Sequence, residues 1–170
     1  MATAAKTNGY APIQIGLHWL IAALVIFQLV FGQSMQTAIH AAQDGTALGV
    51  TDAILATGHY WVGSSILVLA ILRLVIRLRS GVPAPSEGNK ILALAGRATH
   101  WLFYVLLVVA PVSGLLTFYG NPGFASVHRL TRSAFIVLIA LHAVAALFHH
   151  FVLRDGTLKR MLVPAKPSDR

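Results

Sequence analysis

The chain has 170 residues, of which 56% are hydrophobic and 11% charged, and its formal net charge is +8. A soluble domain carries about 25% charged residues, so the deficit points to lipid as the solvent. With no cysteine, disulfides, iron–sulfur clusters, thiolate-ligated haem and covalent c-type haem are all excluded.

A bilayer core needs roughly 20 mostly apolar residues per helix. The first such stretch runs from about Ala11 to Phe31. It does not read as a cleaved signal peptide: its apolar run is long, Lys6 is its one basic residue, and Gln14 and His18 interrupt it. The segment from Met35 to Thr57 reads as a loop without Lys or Arg, carrying Asp44 and Asp52. The second span covers about Ile54 to Leu78 and the third about Thr99 to Tyr119; the third contains Pro111 and Gly114. Both residues are tolerated where neighbouring helices re-satisfy the backbone. Val82 to Lys90 is a loop with turn residues, and Gly120 to Gly123 is a short connection to the fourth span, about Ala125 to Leu153. The predicted fold is all-α, an integral membrane four-helix bundle forming one domain over 1–170.

Lys and Arg set the direction of such a bundle. Lys6, Arg73, Arg77, Arg79, Lys90, Arg97, Arg154, Lys159, Arg160, Lys166 and Arg170 fall on one side; only Arg129 and Arg132 fall on the other. Both termini are therefore expected in the cytoplasm. Because topology accounts for the basic excess, no nucleic-acid partner is expected. Trp19, Trp61 and Trp101 near span ends read as interfacial anchors, and Arg77 and Arg79 as snorkelling residues.

Histidine carries the chemical signal. Six of the eight, His18, His59, His100, His128, His142 and His149, lie in or at the edge of spans. His-Trp-Leu opens both the first span (His18) and the third (His100), a weak internal repeat. Intramembrane ionisable groups are costly and face the bundle interior. His128 and His142 are 14 residues apart, which on a helix leaves them about 40° apart and roughly 21 Å along the axis. One helix thus offers an imidazole near each membrane surface. His59 matches the depth of His128. His18 suits the depth of His142 better than His100, which sits one turn after Arg97. The expected pairs are His59 with His128 and His18 with His142. Paired axial imidazoles on haem iron carry electrons and leave no place for oxygen.

Arg73 is 14 residues after His59 and is a candidate for a haem propionate at the inner level; Arg132, one turn from His128, is the outer candidate. Arg129 and Arg132 make a positive rim that would steer an anion. Gly63 and Ala146, each one turn after a histidine, are expected to leave room for a flat macrocycle. His100 and His149 are candidates for inner-side haem or quinone contact. His150 reads as interfacial and His40 as solvated. Zinc fits poorly, because the spans hold no carboxylate or thiol.

Four stretches resemble the bacterial cytochrome b561 family: IGLHWLIAALVIF around His18, GHYWVGSSILVLAILRLVIRL around His59, THWLFYVLLVVAPVSGL around His100, and LHAVAALFHHFVLRDGTLKRMLVP around His142. The last is similar to the small members that act as superoxide oxidases. The resemblance implies a bacterial inner-membrane protein with two non-covalent b haems, ligated at His18, His59, His128 and His142, exchanging electrons with ubiquinone. In that reading superoxide, or another periplasmic electron-transfer partner, is the donor. Compared with superoxide-oxidase-like members, the connection around Asn121 to Phe124 is short and the one between the first two spans is long, so the outer surface is remodelled. A haem subunit of a larger respiratory complex, docking through the Met35 to Thr57 loop, is the first alternative. A non-redox helical bundle is the second.

Overall fold

The computed structural model describes residues 9–83 and 90–164. The basic residues Lys6, Lys166 and Arg170, and loop residues 84–89, lie outside them. Among the described residues the protein is helical, with no strand. The helices are α1 (Pro12–Phe31), α2 (Gln33–Asp44), α3 (Val50–Ser80), α4 (Lys90–Phe118) and α5 (Ala125–Phe151), with short 3-10 turns at Pro122–Phe124 and Lys159–Met161.

Four of these helices are long and apolar enough to cross a membrane: α1, α3, α4, and α5 with its preceding turn. Their mid-span surfaces are bare of protein: Val68 is 67% exposed, Val105 55% and Val137 59%. Apolar area on this scale is not left to water by a soluble monomer, whereas acyl chains are its natural covering.

Helix boundaries follow local chemistry. Pro12 starts α1, where its missing N–H costs nothing, and Gln14 Oε1 accepts the Ala11 N–H at 3.1 Å. The α3 helix has Asp52 in its first turn and Arg77 and Arg79 in its last, each charge opposing the helix dipole. At 31 residues it is about 46 Å long against a hydrocarbon core of about 30 Å, so it begins before and ends after the expected span. Helix α4 likewise starts nine residues early, at Lys90, because Lys90–Ala98 lacks a helix breaker other than Gly96.

The expected loop from Met35 to Thr57 is mostly helix. Met35, Ala38, Ile39 and Ala42 recur at helical spacing along α2, which ends at Gly45 in the left-handed conformation. His40 is exposed on it. Val50 then opens α3, so only the short segment between these helices is a true connection.

Backbone packing is closest between α1 and α3, α3 and α4, and α4 and α5, with α2 laid against α3. A core of Ile21, Val25, Ile66, Ala70, Leu107 and Phe135 fills the centre. Phe135 stands seven residues from both His128 and His142. The core therefore separates two histidine levels, one at the end where the arginines of α3 gather and one at the opposite end.

Candidate functional site

At the end opposite the α3 arginines, His59 of α3 faces His128 of α5. Their ring centres are 6.0 Å apart and their planes at 89°. The His128 Nδ1 lies 2.9 Å from the Ala110 carbonyl of α4. A carbonyl only accepts, so Nδ1 carries the proton and Nε2 keeps its lone pair. The ring sits hard against α4 because residue 114 is glycine; a Cβ there would come within 3.0 Å of Cε1 and 3.1 Å of Nδ1. His59 is packed against the turn between α1 and α2, where a Cβ on Gly32 would meet its ring at 3.5 Å. Its Nδ1 is buried without a partner among the described residues.

At the arginine-rich end, His18 of α1 faces His142 of α5 at 6.3 Å between ring centres. His100 of α4 lies 5.5 Å from the same His142 ring, and Phe103 packs on it edge-on at 5.4 Å. His100 donates through Nδ1 to the Gly96 carbonyl of its own helix at 2.6 Å. The structure thus brings three histidines to this level and two to the other.

Arg73 donates through Nη1 to the Gln14 carbonyl at 2.7 Å, one turn before His18. It lines a small cleft with Tyr10, Gln14, Arg77, Val82 and Tyr104. Arg77 stacks over the Tyr104 ring at 5.9 Å, so its aliphatic stem does not merely reach for solvent. Arg129 and Arg132 are both exposed, and Arg132 makes one long bond, 3.4 Å, to the Leu29 carbonyl. His149 donates through Nδ1 to Asp155 Oδ2 at 2.6 Å, while Asp155 Oδ1 accepts the Thr157 N–H at 2.9 Å. His150 is exposed.

One expectation needs correcting. The space beside Gly63 does not lie open for a macrocycle: a Cβ there would be 2.9 Å from Gln28 Nε2. That amide nitrogen donates to the His59 carbonyl at 2.8 Å. Sequence reasoning passed over Gln28, although an amide inside the apolar run from Leu20 to Phe31 is itself a signal. It also missed Asp155, whose carboxylate is six residues from His149.

His128 of α5 thus meets His59 of α3, and His142 meets both His18 of α1 and His100 of α4, although neither α1 nor α3 packs its backbone closely on α5. Opposed imidazole pairs are a donor set that haem iron accepts.

The model of the family described as prokaryotic cytochrome b561 matches residues 9–164. Cytochrome b562 of Cereibacter sphaeroides is 37% identical over 163 residues, covering 92% of this chain and 96% of that protein. The probable superoxide oxidase CybB of Yersinia pestis is 31% identical over 177 residues, covering 90% and 95%. Cytochrome b561 homolog 2 of Escherichia coli is 29% identical, covering 90% of each. The chain belongs to the prokaryotic cytochrome b561 family, membrane proteins that transfer electrons on haem b.

Proposed function

We propose that this protein conducts electrons across the bacterial inner membrane through two b haems, from a periplasmic donor, with superoxide favoured, to ubiquinone. In this reading residues 1–170 form one di-haem domain with both termini in the cytoplasm. His59 and His128 are the axial ligands of the outer haem, and His18 and His142 those of the inner one. When bound, haem supplies a reversible one-electron couple.

The observation that carries the reading is the spacing of the two histidine pairs. Imidazole nitrogens at about 2.0 Å on opposite sides of one metal put the ring centres roughly 6.3 Å apart. The pairs stand at 6.0 and 6.3 Å. His100, at 5.5 Å from His142, falls short of that spacing, and its position supports a contact role toward haem or quinone instead. A ligating imidazole needs a free Nε2 lone pair, which the Nδ1 bond to the Ala110 carbonyl leaves on His128.

Other residues take supporting roles. Arg73, bonded one turn from His18, would hold an inner propionate, and Arg132 an outer one. Arg129 and Arg132 raise the local concentration of an anionic donor. His149, oriented by Asp155, borders the quinone on the cytoplasmic side. Two superoxide anions give up one electron each and leave as dioxygen; those two electrons and two protons convert one ubiquinone to ubiquinol.

The test is to add superoxide anaerobically to oxidised, quinone-loaded protein and follow haem absorbance. Reduction of haem and then of quinone above the uncatalysed rate is expected. A rate equal to background removes superoxide as the donor; a protein that purifies with fewer than two b haems removes the two-haem scheme.

A further inference from the structure

His128 and His59 differ in how their rings are held. The Nδ1–H of His128 has a backbone carbonyl at 2.9 Å. The Nδ1 of His59 is buried with none among the described residues. A second buried atom without a partner, Gln28 Oε1, belongs to the side chain whose Nε2 already donates to the His59 carbonyl. The two orphans are complementary. An amide oxygen only accepts, and an imidazole that gives its Nε2 lone pair to a metal must donate from Nδ1. Gln28 reaches this position from α1, 31 residues away, because Gly63 has no Cβ to block it.

We infer that Gln28 is a positioning residue for the His59 ligand: its Oε1 accepts the Nδ1–H, directly or through one water, while its Nε2 holds the His59 carbonyl. This rests on the two-haem reading above. A side-chain acceptor on a ligand's distal nitrogen fixes the tautomer and makes the imidazole a stronger donor. A stronger donor favours oxidised iron, so Gln28 holds the potential of this haem down.

The test uses the purified haem-loaded protein and two substitutions, read by redox titration and by the low-spin EPR signal. The signal of this haem is identified by its loss in His59→Ala. Gln28→Met keeps the length and removes the acceptor. The expected result is an upward shift of about 59 mV in this haem alone, a tenfold change in its reduced-to-oxidised ratio, with altered g values. Gln28→Glu keeps an acceptor oxygen and loses the amide donor, so its midpoint is expected at or below that of the unaltered protein. Unchanged titration and EPR in Gln28→Met overturn the inference. So does an upward shift in Gln28→Glu equal to that in Gln28→Met, which would assign the effect to the carbonyl bond. If Gln28→Met loses this haem, its retention in Gln28→Glu supports the inference and its loss in both overturns it. Unaltered protein lacking two haems would instead count against the two-haem reading itself.

Discussion

Gly114 of α4 and His128 of α5 are in contact so close that a single methyl group at residue 114 would reach within 3.0 Å of the imidazole. The same ring is tied to α4 by its bond to the Ala110 carbonyl. Helix α4 thus sets the pose of a residue that belongs to α5.

Gly114→Ala should therefore displace the His128 ring by a few tenths of an ångström and weaken the site it shares with His59. Overpacking of this kind costs roughly 1–3 kcal/mol. Haem content per chain should fall toward one, with the His18–His142 site retained. Gly114→Val should abolish the outer site. Two full haems in Gly114→Val would show that the ring is free to move.

At the other level, three histidines compete for two axial places. His18→Ala and His142→Ala should each leave one b haem per chain, while His100→Ala should retain both. Pyridine haemochrome quantification decides it. Loss of a haem in His100→Ala with retention in His18→Ala would exchange the roles assigned to these two residues.

Arg129 and Arg132 are exposed and act, in the proposed function, through their field. Replacing both by Gln should lower the bimolecular rate with superoxide by about tenfold at low salt and flatten its dependence on ionic strength. The rate is compared per bound haem, because Arg132 is also assigned to the outer propionate. A rate that keeps its salt dependence would place the anion's entry elsewhere.

The bond from His149 to Asp155 folds the chain back after α5, where Arg154 adopts a positive φ of 52°. Trp19 also holds this segment, donating to the Met161 carbonyl at 2.9 Å. Asp155→Ala should release the turn at a cost on the order of 1 kcal/mol. Amide exchange of 155–163 should quicken while the exchange of α5 around Phe135 stays slow. Unchanged exchange after Arg154 would mean that Trp19 alone suffices.

The sequence by itself determined the four spans and the shared face of His128 and His142. Both depend on quantities internal to one segment: apolar length against bilayer thickness, and the 3.6-residue turn. Helix α2 was also within reach, through the spacing of Met35, Ala38, Ile39 and Ala42, but its polar composition disguised it as a loop. Tertiary structure alone decided the rest. How near His18 and His100 each come to His142, 6.3 and 5.5 Å between ring centres, depends on how α1 and α4 are rotated about their axes, which interhelical packing sets. The space beside Gly63 is taken by Gln28 rather than left open, because the glycine gap in α3 meets this side chain of α1 only once the two helices pack. A bond between residues 28 and 59 has no local periodicity to announce it; it exists because burying an amide in lipid obliges the chain to find it a partner.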